Sequence, residues 1–398
     1  MAVDGKRSVK RSDYGIYDGN VYNLNPPVSS EIKNGQWLGV EVKSQGEGGK
    51  VIVCAHRYTL RDIPLPFSKP QDTKRGMIGL CYVLDPDLQV PRSLDMGYKS
   101  VMVIRDAVEG KRQEPKPGFD DHAKWGVCQL GVSVAFVEKD TGSQPVGGND
   151  NIALFGAPGC FTWRGNLISQ SLGTLQPYQA VVNENSFTKY VKHGLMGVAV
   201  TSGRFFDNEL LYASGAPHAN AVYFFSQRDG QPRQVHTLTG EDYGAAFGLS
   251  LATCNVNGDS SPDLIVGAPF FDDEKSQHQR GGAVYLFVSK NGQLSQKRRI
   301  KIVGKELLGQ FGLSLTCMGD MNSDGYEDFA VGAPYEENGG SVYIFFGQSR
   351  YATSAVLRAE KVAVQTITPQ SFKQMPTGSP LTTFGSSLSG GLDMDANG

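Results

Sequence analysis

The sequence predicts an all-β chain assembled from repeated short-strand units, a β-propeller. Three observations carry this. Glycine, with 49 of 398 residues, exceeds its usual share of about 7% and shows no collagen period. Aromatic and β-branched runs lie between the glycines. The sequence also repeats itself at intervals of about 50–75 residues, with several short strands per interval, which suits one propeller blade per repeat.

The strongest copies align almost without gaps. "FGLSLATCNVNGDSSPDLIVGAPFFDD" starts at Phe247, and "FGLSLTCMGDMNSDGYEDFAVGAPYEENGGSVYIFFG" starts at Phe311. Each reads as an aromatic-glycine opening, a short apolar strand, a polar loop, an apolar strand ending in Gly-Ala-Pro, a turn and a strand of alternating aromatics. Weaker copies begin near Tyr190, keeping Gly215-Ala216-Pro217, and at Trp125, keeping Gly156-Ala157-Pro158. A copy from Gln36 has Cys54-Ala55-His56 instead, and "TFGSSLSGGLDMDANG" opens a further one at Thr383.

The polar loops carry the chemistry. "DMNSDGYED" places oxygen-bearing side chains at Asp320, Asn322, Asp324 and Asp328, with Gly325 at the turn and the Tyr326 carbonyl as an extra donor. Alternate hard oxygens closing on a glycine turn suit Ca²⁺ better than a transition metal. The closing acid comes earlier than in an EF-hand, and strands flank the loop. "NVNGDSSPD" offers Asn255, Asn257, Asp259 and Asp263, with Ser261 as the carbonyl donor. Its first position is an amide, so it carries two formal charges against three and is expected to bind more weakly. The terminal "LDMDANG" sets Asp393, Asp395 and Asn397 in the same register, as far as the glycine.

Other classes find no support. A formal charge of −2 offers no basic field for nucleic acid. No apolar run reaches the roughly 18–20 residues of a membrane span. The six histidines are scattered outside any HExxH or nucleophile motif, so no enzyme is expected. The six cysteines lack metal spacing; Cys54 and Cys81 flank a polar loop they could close, and Cys254 and Cys317 read as buried apolar positions.

The Phe-Gly opening, the nine-residue loop and Gly-Ala-Pro together resemble the FG-GAP repeat of integrin α subunits, from about residue 34 to 398. The resemblance implies a seven-bladed propeller, here incomplete: residues 1–33 as an N-terminal segment with a remnant of blade one, and 34–398 as blades two to six plus the start of blade seven. With most of two blades lacking, the chain is expected to be unstable alone. No inserted domain interrupts it between blades two and three. The resemblance implies a Cys54–Cys81 disulfide; a second family bridge, ending at Cys128, is absent here or redirected to Cys160.

The resemblance further implies an extracellular adhesion-receptor headpiece at the cell surface, pairing with an integrin β subunit and holding Ca²⁺. Residues opening the blades would form an aromatic cage for a basic side chain of the β subunit: Trp37, Trp125, Phe247, Phe311 and Phe384, with Leu195 departing from the pattern. "GCFTWRG" matches the ligand-facing loop, making Phe161, Thr162, Trp163 and Arg164 ligand-binding candidates. Arg164 and "SGAPHANAVYFF" look more like the laminin-binding group than the Arg-Gly-Asp group. The alternative is the FG-GAP propeller of a phospholipase D-like hydrolase or a secreted lectin.

Overall fold

The computed structural model describes residues 31–32, 34–46, 48–63, 74–86, 88, 100–101, 126–137, 152–172, 179–181, 189–227, 232–259, 261–272, 281–337, 339–351, 355–372 and 382–390. These form two compact units, divided after Val132. Unit 1 contains β1 (Glu31–Ile32), β2 (Leu38–Ser44), β3 (Val51–Ala55), β4 (Thr59–Ile63), β5 (Lys74–Met77), β6 (Leu80–Leu84) and β7 (Ser100–Val101). They make a small sheet, β1-β4-β5, and a four-stranded blade A, β2-β3-β6-β7. Cys54 and Cys81 face each other across β3 and β6 and are joined, the bridge the resemblance implies.

Unit 2 holds four blades. Blade B is β8 (Val134–Phe136), β9 (Ile152–Gly156), β10 (Leu167–Ser171) and β11 (Gln179–Ala180). Blade C is β12 (Val200–Phe206), β13 (Glu209–Ala216), β14 (Ala221–Ser226) and β15 (Arg233–Thr239). Blade D is β16 (Leu251–Cys254), β17 (Asp263–Ala268), β18 (Ala283–Phe287) and β19 (Ile300–Val303), extended by the parallel β23 (Val356–Arg358). Blade E is β20 (Ser314–Gly319), β21 (Asp328–Ala333), β22 (Ser341–Phe345) and β24 (Gln365–Ile367). The protein is thus an all-β propeller with five blades among the described residues. Within unit 2 the first strands β8, β12, β16 and β20 pack side by side in order.

The repeated motif explains this packing. A side-chain carbon on Gly267, the glycine of Gly-Ala-Pro in blade D, would lie 2.1 Å from the Gly312 carbonyl oxygen of the Phe-Gly pair opening blade E. Gly156, Gly215 and Gly332 meet Gly197, Gly248 and Gly385 in the same way. Each blade's Gly-Ala-Pro glycine is therefore the seat of the next blade's opening glycine. A serine two residues after the opening glycine completes the latch: Ser133, Ser250 and Ser314 donate to the carbonyls of Gly197, Gly312 and Gly385. Blade C has Ala199 at that position, so its latch lacks the hydroxyl.

The aromatics fill the wedges between blades. Phe247 meets Tyr285 and Phe287 edge-on at 5.3 and 6.2 Å, and Phe311 meets Tyr343 and Phe345 at 5.4 and 6.3 Å. Such edge-to-face pairs add about 0.5–1.5 kcal/mol beyond their burial. Both central strands β17 and β21 are buried along their whole length, which explains their near-continuous apolar sequence.

Candidate functional site: two loops at one end of the blades and an apolar row at the other

The hairpins between the first and second strands of blades D and E carry the predicted oxygen donors. In blade D, Asp263 is fully buried at the start of β17 and accepts from Val256 N at 2.9 Å and Ser289 N at 2.6 Å. In blade E, Asp328 repeats this, accepting from Met321 N and Gly347 N, both at 2.9 Å. The inner donors repeat as well. Asn257 Oδ1 accepts from Asp259 N and Asp259 Oδ1 from Ser261 N, each at 3.0 Å. Asn322 Oδ1 accepts from Asp324 N at 3.1 Å and Asp324 Oδ1 from Tyr326 N at 3.0 Å. Gly325, at φ +90°, turns the loop where a side chain would be strained.

Two features of blade D fit these loops to a hard cation. Asn255 Oδ1, at the first ligand position, is buried and has no hydrogen-bond donor. Burial pushes the Asp263 carboxyl up to about 7, against the pull of the Ser289 N–H and helped by neighbouring Asp259. A buried acceptor and a buried carboxylate that lacks a counter-charge are both costly, and a cation satisfies both. Residues 255, 257, 259, 261 and 263, and their counterparts 320, 322, 324, 326 and 328, would hold it. Tyr351 stands by both loops; burial, with Asp263, Asp328 and Asp324 nearby, holds its hydroxyl protonated. Asp393, Asp395 and Asn397 lie outside the described residues.

The cysteines correct one expectation. Cys254 and Cys317 are not unpaired apolar fillers; they form a disulfide with Cα atoms 5.5 Å apart. They sit one step apart in the repeat, on the first strands β16 and β20 that pack side by side, so side-chain alternation turns Cys254 towards blade E and Cys317 towards blade D. Their sulfurs cluster with Glu327, but once bonded to each other they offer no thiolate to a metal. Cys128 and Cys160 are disulfide-bonded too.

At the opposite end, the blade openings share one backbone signature. A left-handed residue precedes an apolar one and then a left-handed glycine: Trp37-Leu38-Gly39, Gln129-Leu130-Gly131, Leu195-Met196-Gly197, Ala246-Phe247-Gly248 and Gln310-Phe311-Gly312. The counterparts of Phe247 and Phe311 are therefore Leu38, Leu130 and Met196, one residue beyond Trp37 and Leu195 and five beyond Trp125. Trp125 itself lies outside the described residues. Phe247 and Phe311 are fully buried between blades and present no surface. Phe384 is half-buried against Phe372. Trp37, 59% exposed, already carries the Arg57 guanidinium 5.3 Å from its ring centre.

The exposed side chains on these loops are others. Tyr243 (81% exposed), Leu307 and Leu308 precede the openings of blades D and E, and Phe270 and Tyr335 follow their Gly-Ala-Pro triplets. Backbone bonds join the two kinds of loop: Phe270 N to Ala245 O at 3.1 Å, and Tyr335 N to Gly309 O at 3.2 Å. The row continues through Trp163, whose carbonyl accepts from Leu195 N at 3.0 Å. No sequence periodicity marks these residues; their signal is a large apolar side chain beside a turn glycine or proline.

The ligand-loop candidates split. Phe161 is fully buried, Trp163 is exposed, and Thr162 and Arg164 are half-buried. Arg164 Nη1 donates to Thr162 Oγ1 at 3.0 Å, which ties the loop together. Phe161, Thr162 and Trp163 all adopt positive φ, of 51°, 56° and 63°. Such a run of non-glycine residues costs of order 1–3 kcal/mol each.

The FG-GAP repeat family matches residues 247–287 and 314–345, the two blades with the paired loops. The chain thus carries FG-GAP repeats at these residues, and along nine-tenths of its length it is similar to integrin alpha subunits. It is 33% identical over 387 residues to "Integrin alpha-7" of Rattus norvegicus, covering 93% of this chain and 30% of that one. It is 34% identical over 368 residues to "Integrin alpha-3" of Cricetulus griseus, covering 91% and 30%. It is 32% identical over 397 residues to "Integrin alpha-6" of Gallus gallus, covering 95% and 33%. The chain thus spans about a third of the length of these relatives. Among solved structures, "Structure of Dos1 propeller" aligns with a TM-score of 0.30 at 15% identity, over 49% of this chain and 41% of that one. Among the described residues no helix is long and apolar enough to cross a membrane.

Proposed function

We propose that this chain is headpiece sequence of an integrin α subunit: a cell-surface adhesion receptor that binds and does not catalyse. The observation that carries this is the relationship to integrin alpha chains over more than nine-tenths of its length. On this reading the five blades belong to a seven-bladed propeller. The apolar row of Trp163, Tyr243, Phe270, Leu307, Leu308 and Tyr335 is the docking surface for a β subunit. Solvent-exposed aromatics of this density suit a partner-covered face. At the edge of that row Trp163, with Thr162 and Arg164, also faces extracellular-matrix ligand. The laminin-type preference is supported by Arg164 and by the likeness to alpha-3, alpha-6 and alpha-7 chains.

The ion in the paired loops is Ca²⁺. All donors are carboxylate, amide or carbonyl oxygens, and none is imidazole or thiolate, the donor set that calcium prefers. The ion supplies positive charge that fixes each hairpin. The hydrolase alternative draws no support from these relatives. The test is co-expression of the full-length α chain with candidate β subunits, followed by capture on immobilised laminin in Ca²⁺. Stable heterodimers that bind laminin are expected. A chain that is secreted folded and pairs with no β subunit would refute the reading.

A further inference from the structure

The two cation loops are not independent of each other. Three consecutive residues of the first loop's start are each held by blade E or the segment after it. Cys254 is bonded to Cys317, three residues before Asp320. Asn255 is clamped in both directions by Glu327: its N–H donates to Glu327 Oε2 at 2.6 Å, and its carbonyl accepts from Glu327 N at 3.1 Å. The Val256 carbonyl accepts from Gln348 N at 2.8 Å. The Tyr326 ring also closes on Gly258, where a side-chain carbon would lie 2.9 Å from it. Glu327 itself stands between Tyr326 and Asp328, two expected ligands of the second loop.

We propose that the second loop positions the first, so that the two sites take up Ca²⁺ cooperatively, with Glu327 and the Cys254–Cys317 bridge as the coupling elements. The inference rests on the cation-binding reading above. A cation in the second loop fixes the backbone from 320 to 328 and with it Glu327. Glu327 in turn fixes Asn255, whose Oδ1 is the buried acceptor without a donor. Ordering of the first loop is then largely complete before its own ion arrives, and that ion binds more tightly. The effect falls where it matters, because the first loop has fewer formal charges. Linkage makes the coupling reciprocal. Glu327 is a positioning residue here: its carboxylate oxygen is engaged by a backbone N–H of the neighbouring loop.

The test is Ca²⁺ titration calorimetry on the chelator-stripped full-length α chain and four variants, each checked for an unchanged melting curve in chelator. Asp324→Ala isolates the first loop, and Asp259→Ala isolates the second. Each isolated site is expected to bind about five-fold or more weakly than in the unaltered chain, the low end of ordinary coupling. Glu327→Ala keeps every proposed ligand and is expected to weaken the first site by a similar factor. Glu327→Gln, whose amide oxygen accepts the same bond, is expected to restore it. Equal affinities in isolated and paired sites would overturn the coupling. A loss in Glu327→Ala that Glu327→Gln does not restore would assign the effect to charge and overturn the positioning role. No Ca²⁺ binding by the unaltered chain would instead defeat the cation reading itself.

Discussion

Replacing Gly267 by alanine tests the latch that joins one blade to the next. The new carbon would stand 2.1 Å from the Gly312 carbonyl and 2.1 Å from Ser250 Oγ, against an ordinary contact near about 3.5 Å. One partner is backbone and the other a short hydroxyl, so neither can swing away. Blades D and E must part by more than an ångström, and the bond of 2.6 Å from Ser250 to Gly312 is lost. Overpacking of this kind costs about 1–3 kcal/mol. The buried carbonyl left without a donor adds about 1–3 kcal/mol. The expected loss is therefore about 2–6 kcal/mol, a large share of the roughly 5–15 kcal/mol that holds a domain together. Urea unfolding followed by intrinsic fluorescence measures it, with an unchanged slope as the condition for comparison. One control separates the contributions. Ser250→Ala removes only the hydrogen bond, about 1–3 kcal/mol. If Gly267→Ala proves no worse than Ser250→Ala, the steric reasoning fails.

Other expectations can be checked on the same material. Glu336 is buried beside the Tyr343 hydroxyl, 2.7 Å away, and burial raises its carboxyl above the usual range. Its raised folded value means that its contribution is full in acid and is lost as pH climbs through that value. Glu336→Gln should accordingly gain in melting temperature relative to the parent between pH 4 and 8; a constant difference across that range would contradict the assignment. Removing the bridge with Cys254→Ser and Cys317→Ser opens a loop of 63 residues, for which chain entropy predicts about 4 kcal/mol of destabilisation in urea. Stripping Ca²⁺ from a chain held at about a hundred times its dissociation constant should cost about 2.7 kcal/mol per site in the same assay. Tyr243→Ala and Trp163→Ala should leave stability within about 0.5 kcal/mol, yet weaken β-subunit pairing by about ten-fold or more in a binding titration.

How much of this was legible in the sequence depended on whether residues acted within one repeat or between two. Gly-Ala-Pro after an apolar strand and alternate oxygens before a glycine are local patterns, and both loops stand where their spacing places them, between β16 and β17 and between β20 and β21. The Cys254–Cys317 bridge joins two repeats, and the facing of the two sulfurs is visible only once β16 is set beside β20. Sequence alignment therefore took each cysteine as filler. The blade openings show the opposite failure. Aromatic character marked Trp37 and Phe247 as equivalent, but backbone conformation makes Leu38 the counterpart of Phe247. An aromatic side chain is apolar both in a core and at an interface. Only depth separates Phe247, sealed between blades, from Tyr243 four residues earlier, which is almost wholly exposed.

The same strand links the two ends of a blade and limits what one can do to the other. β17 begins at Asp263 in the cation loop and ends in the Gly-Ala turn beneath Phe270, a span of about 20 Å at some 3.3 Å per residue. Its side chains alternate between two cores. Leu264, Val266 and Ala268 face the wedge shared with blade C, and Ile265 faces the wedge shared with blade E. A shift by one residue would exchange every one of these contacts, so the strand has a single workable register. Gly267 tightens this further, since its seat against Gly312 accepts no other residue. A cation at the lower hairpin therefore reaches the upper face through the stability of the blade. Within this blade it finds no sliding element through which to move the loops at that face.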